Sequence, residues 1–158
     1  MKEGLDVKYI NPFLQSSLNI FNSMAQIKLT VGKPQIANLS FTETTFILQV
    51  GVTGEMKGQV LIVMSVERAK DIASRMMFGM EVPELDEMSR SALAELSNMI
   101  MGNTATLFSL QNILIDITPP LSLQGNKLMI QADVQALRVP LLYEGEAFID
   151  LYICVVKK

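Results

Sequence analysis

An α+β fold is predicted for this sequence: one layered domain over residues 1–158, with helices packed on an antiparallel-rich mixed β-sheet. Three observations predict it. Three segments repeat apolar residues at spacings of three and four, as helices with one buried face do. Other segments are β-rich and separated by Gly-, Pro- and Asp-containing turns. The order of one helix, two or three strands, two helices and more strands suits an antiparallel sheet with helices laid on it. At 158 residues, 49% of them apolar, the chain can bury one sizeable core and falls short of two comfortable domains.

The elements follow in order. Within residues 11–29, Phe13, Leu14, Leu18, Phe21, Met24 and Ala25 form one helical stripe, with Pro12 suited to the first turn. Residues 35–40, 45–52 and 57–65 read as strands, and Thr53-Gly54-Glu55-Met56 with Gly58 just after makes the last two a hairpin. Residues 66–78 carry Ala69, Ile72, Ala73, Met76 and Met77 on helical spacing, between an N-cap at Ser65 and a stop at Gly79. Met76, Met77 and Met80 are expected to fill gaps in the core. Asp86 caps a third and longest helix over residues 87–111, with Glu87 complementing its positive end. Strands at 116–120, at 127–142 with an interruption near Pro140, and at 146–156 complete the chain. The last of these alternates Phe148, Asp150 and Tyr152 with Ile149, Leu151 and Ile153, a pattern open to pairing across a dimer edge.

Composition excludes several classes of function. There is no histidine, which removes the usual general base, the Ser-His and Cys-His nucleophile pairs and nearly all zinc sites. No metal-ligand set is read in the chain, and no GxGxxG or GKS/GKT signature follows Gly51, Gly54 and Gly58, so ATP-driven chemistry drops out. A net charge of −3 without a basic run argues against nucleic acid. Apolar runs such as Val60 to Met64 are too short to span a membrane. The N-terminal stretch MKEGLDVKYINPFLQ lacks the apolar core of a signal peptide, so a cytoplasmic location is expected. Cys154 lies in the apolar run 151–156 and is expected to be a core residue rather than a nucleophile.

The third helix carries the chemistry. On a 100° wheel Leu93, Leu96, Ile100 and Leu107 fall in a narrow arc that faces the sheet. Ser91, Glu95 and Asn98, at i, i+4 and i+7, lie on the opposite arc within roughly 60° of one another. Ala94, Gly102 and Ala105 share that side, so the polar trio stands in a strip of small side chains open to another protein's surface. A glycine inside a helix costs about 1 kcal/mol against alanine. Gly102 therefore needs a packing reason, and close approach of a partner supplies one.

The stretch LDEMSRSALAELSNMIMGNTATLFSLQNILIDITPP, residues 85–120, resembles the signature of the CheC/CheX/FliY family of chemotaxis phosphatases. In that family Asp or Ser is followed by Glu four residues on, Asn three further and a proline about two dozen later, as Ser91, Glu95, Asn98 and Pro119-Pro120 are here. The hairpin VGVTGEMKGQVLIVMS, the helix ending RMMFGM and the strand-rich tail extend the likeness over nearly the whole chain, toward the single-site CheX branch. No second E-x-x-N stands in an equivalent helix.

The resemblance implies a CheC-like fold and a phosphatase for the aspartyl phosphate of a phosphorylated CheY-like response regulator. It implies Glu95 and Asn98 as catalytic residues, with Asn98 orienting the attacking water and Glu95 anchoring to the receiver's lysine. Ser91, Ala94 and Gly102 would touch the partner. The protein would need no cofactor of its own, since Mg2+ comes with the phosphorylated receiver, and it would form a homodimer. Noncatalytic receiver binding and structural oligomerisation stand as alternatives, the retained amide of Asn98 arguing against binding alone.

Overall fold

The computed structural model describes residues 7–158. The reading of the N-terminal segment as free of a signal peptide falls partly on residues 1–6, outside the described residues.

Helix α1 spans Val7–Ala25, so it begins before the predicted start and places Pro12 in its interior. Tyr9 explains the extension: it is buried one helical turn ahead of Phe13, and covering it continues the apolar stripe. The helix ends before Leu29, where Gln26 takes a left-handed φ of 54° and the Ile27 N–H donates to the Phe21 carbonyl. Leu29 opens a strand instead.

Among the described residues the strands, in chain order, are β1 Leu29–Val31, β2 Gln35–Ala37, β3 Ser40–Phe41, β4 Thr45–Gly54, β5 Met56–Ser65, β6 Ile115–Ile117, β7 Leu121–Gly125, β8 Leu128–Met129, β9 Ala136–Tyr143 and β10 Glu146–Lys157. Helices α2 Val66–Met76 and α3 Glu87–Ser109 lie between β5 and β6. The main sheet runs β1-β9-β10-β5-β4-β6, with β2 also on β9 and β7 also on β4, while β3 and β8 form a separate pair. Every ladder among the described residues is antiparallel, sharper than the mixed sheet that was expected.

Period-two alternation sends Phe46, Leu48, Val50, Val60, Ile62, Ile149, Leu151 and Ile153 to one face, where they meet Phe13, Phe21, Ile72, Leu93, Leu96 and Ile100 of the three helices. The opposite face carries Ile47, Leu61, Val63, Tyr152 and Cys154, covered by Leu39 and by Phe41 and Leu128 of the β3–β8 pair. Cys154 is buried there, as its apolar run predicted.

Three local readings are revised. The predicted strand 35–40 divides between two partners, residues 35–37 pairing with β9 and 40–41 with β8. The predicted strand 116–120 is cut short: β6 ends at Ile117, the Thr118 N–H donates to the Gly51 carbonyl, and β7 returns to β4 with Leu121 opposite Gln49, so Pro119 and Pro120 together stand opposite Val50 between the two strands. Finally, β10 lies between β9 and β5 and is paired on both sides over residues 150–153, so the middle of the stretch read as open to a dimer edge is interior to the sheet.

Pro140 is paired inside β9. Its carbonyl accepts from the Gly32 N–H at 2.8 Å, on the side where β9 passes from β2 to β1. The donor that proline lacks would have faced this gap between two short strands, which explains its place inside the sheet.

Candidate functional site

Helix α3 is fixed from its first residue. The Asp86 carboxylate accepts from the Ser89 N–H at 2.9 Å and from the Ser89 hydroxyl at 2.8 Å, closing the first turn. These bonds, the backbone donor foremost, hold the Asp86 carboxyl below the usual aspartate range. One turn on, Arg90 donates from Nε to the Leu85 carbonyl at 3.1 Å and from its terminal nitrogen to Gln124 Oε1 of β7. The same guanidinium stands 5.7 Å over the Phe46 ring of β4. Arg90 is the only basic residue of α3, and these contacts commit it to the sheet.

The buried side of α3 consists of Ser89, Leu93, Leu96, Ser97, Ile100, Met101, Thr104 and Phe108. Leu107 was expected on this side and is only half-buried, whereas Phe108 is fully covered, its ring edge-on to Phe13 of α1 at 5.4 Å. Contact with α1 thus selects the last core residue, a choice a single-helix wheel does not contain.

Ser91, Glu95 and Asn98 are all exposed, on the side of α3 away from the core. The structure brings the three together as one outward face. Ala94, Gly102 and Ala105 are half-buried along it. A Cβ built on Gly102 would meet nothing within 4 Å, so no contact inside the described chain requires glycine there. Neither Glu95 nor Asn98 is tied to another side chain among the described residues. The face thus presents an uncompensated carboxylate and, one turn on, a carboxamide able both to accept and to donate hydrogen bonds. The carboxylate suits a cationic group; the carboxamide suits water or a phosphoryl oxygen without adding charge.

Two residues outside the motif shape this side of α3. Arg90 positions the helix on the sheet, and Met88, exposed in the first turn, lies on the same side as Ser91 and Glu95. The signal for Met88 was its place seven residues before Glu95. Met76 and Met77 pack against the core as expected, but Met80 is exposed. Pro119 is exposed and Pro120 half-buried, in the link between β6 and β7, the two strands that pair with β4 and contact α3. Among the described residues no group of three or more Cys, Asp or Glu stands in a metal-holding arrangement, and no helix is long and apolar enough to cross a membrane.

Known proteins resemble this chain in sequence and in fold. The sequence model of the family described as chemotaxis phosphatase CheX matches residues 46–142, a span that includes the whole outward face of α3. The CheY-P phosphatase CheX of Thermotoga maritima is 30% identical over 151 residues, 96% of this chain and 97% of that protein. Among solved structures, a CheC-like superfamily protein from Shewanella sp. PV-4 has a TM-score of 0.79 at 27% identity, over 96% of this chain and 99% of that one. A chain of the CheX–CheY–BeF3–Mg2+ complex from Borrelia burgdorferi matches with a TM-score of 0.78 at 28% identity, over 94% of this chain and 98% of that one.

Proposed function

The chain belongs to the CheX family of chemotaxis phosphatases, and on that premise we propose that it hydrolyses the aspartyl phosphate of a phosphorylated CheY-like response regulator, with Asn98 and Glu95 as its working residues. The observation that carries the residue assignment is the outward face of α3, where a free carboxylate and a free carboxamide stand one turn apart in a setting of small side chains. That one structural neighbour is a CheX–CheY complex supports the class of partner.

The chemistry asks little of this chain beyond placement. A receiver brings its own magnesium ion and lysine to the phosphoryl group, so the missing component is a water held in line with the scissile P–O bond. The Asn98 carboxamide oxygen accepts a hydrogen bond from that water, and its NH2 is free to donate to a phosphoryl oxygen. Holding the water in place converts an improbable encounter into an effectively intramolecular one. Attack by the water oxygen on phosphorus breaks the bond to the receiver's aspartate, leaving a carboxylate and inorganic phosphate. Glu95, approaching the receiver's lysine, forms a charge-assisted bond that sets the register of α3 against the receiver. A general-base role for Glu95 is less favourable, because its negative charge would have to approach the anionic phosphoryl group. Ser91, Ala94 and Gly102 line the approach.

The proposal includes a cytoplasmic location and a homodimer. With β10 interior, the free sheet edges among the described residues are β1–β2 on one side and β6–β7 on the other. Elution on a sizing column tests the dimer, and a monomer at high concentration discards it.

The function is tested by following the decay of a magnesium-loaded, phosphorylated CheY-like receiver. The chain accelerates it, and Asn98→Ala loses on the order of 10²-fold of the acceleration, as removal of one positioned transition-state group does. Equal decay with and without the chain, across the receivers of the same organism, would instead leave a noncatalytic binding or oligomerisation module.

A further inference from the structure

We propose that Met88 extends the receiver-binding face of α3 and discriminates among receivers, by packing on an apolar side chain that borders the receiver's phosphorylation pocket. The inference rests on the receiver reading of the α3 face given above.

Met88 sits in the first turn of α3 and is 60% exposed. Seven residues separate it from Glu95, which places it within about 20° of Glu95 on the helix wheel and about 10 Å away along the axis. The turn that carries it is rigid, because Ser89 is fully buried and bonded to Asp86 while Arg90 is held by Leu85 and Gln124. Exposed apolar residues scattered over a surface need no explanation. Leu110, Leu114, Leu121 and Met129 are of that kind, and Phe78 stands on the α2–α3 connection, off the helix. Met88 differs from them by sharing the face of Glu95 and Ser91.

Discrimination needs such a residue. Glu95 and Asn98 address groups that every receiver uses for its own phosphorylation, a lysine and a phosphoryl-aspartate, so they cannot separate one receiver from another. A contact about 10 Å along the helix falls outside that shared pocket, where receivers differ. The unbranched thioether adapts to an apolar counterpart. A charged or polar counterpart would be desolvated without a partner, and this penalty rejects the wrong receiver.

The test compares Met88→Ala, Met88→Leu and Met129→Ala. It uses binding to a receiver activated with beryllium fluoride and magnesium, together with KM and kcat on the phosphorylated receiver. Met88→Ala is expected to raise Kd and KM on the order of tenfold at unchanged kcat. Met88→Leu should restore most of the affinity, and Met129→Ala, on the β3–β8 pair, should behave as wild type. Across a panel of receivers, Met88→Ala should narrow the spread of KM values. Unchanged Kd and KM for Met88→Ala with an active wild type overturn the inference and leave the phosphatase reading standing. An equal rise for Met129→Ala overturns it as well, by reducing the effect to general stickiness. A wild type that neither binds nor accelerates any receiver overturns both readings together.

Discussion

Glu95 and Asn98 are exposed on α3 while the two residues between them, Leu96 and Ser97, are fully buried. The pair therefore cannot rotate out of its outward direction without exposing Leu96, whose burial is worth about 2 kcal/mol. Precision at the site comes from the core behind it.

This pairing separates the two roles by isosteric substitution. Asn98→Asp keeps the size of the side chain but sets a negative charge beside an anionic phosphoryl group, so kcat should fall at least as far as in Asn98→Ala. Glu95→Gln keeps the shape and removes the charge, so the main effect should be a higher KM, together with loss of the salt dependence that a charge-assisted bond confers. Steady-state kinetics on the phosphorylated receiver at two ionic strengths reads both. A kcat collapse in Glu95→Gln at unchanged KM would point to a base instead of an anchor.

Gly102→Ala sets stability against function. Beyond the adjoining helix backbone no atom lies within 4 Å of the added methyl group, so alanine should stabilise the isolated chain by about 1 kcal/mol through helix propensity. The same methyl group stands where the partner is proposed to approach, so KM should rise. Thermal melting and receiver kinetics on one preparation check the two effects, and a stabilised variant with unchanged KM would remove Gly102 from the partner face.

Gly58→Ala should do the opposite. Gly58 has φ +149°, and its Cβ would fall 1.9 Å from the carbonyl oxygen of Cys154 across the β5–β10 ladder. Backbone must move to admit any side chain, so the loss should exceed about 2 kcal/mol. The urea midpoint measures it.

Burial pushes the Cys154 thiol up from its ordinary value of 9.0 to about 11. Thiol reagents at pH 8 should therefore label the native protein far more slowly than the urea-unfolded chain. The folded state holds this proton more tightly than the unfolded state does. The associated stability is complete below pH 9 and is lost as pH rises from about 9 toward 11. Urea titrations across that window check the sign, and rapid native labelling would contradict the buried placement.

Local signals were legible in the chain because they depend on neighbours a few residues away. The Ser65 and Asp86 caps, the β4–β5 hairpin and the i, i+4, i+7 face of Ser91, Glu95 and Asn98 are all of this kind. The absence of histidine and the small residues along that face narrowed the chemistry before any contact was known.

Tertiary structure decided what depends on partners distant in sequence. The strand predicted over 116–120 gives way at Pro119-Pro120, and only the pairing of β4 with β6 before them and with β7 after them brings the chain back to the same neighbour. The alternation of β10 suits an edge or an interior strand equally, and only β5 and β9 on its two sides make it interior. Periodicity in one segment says which side chains share a face. Which surface covers that face, and which part of it stays open, is set by register and packing between segments, and so belongs to the folded chain alone.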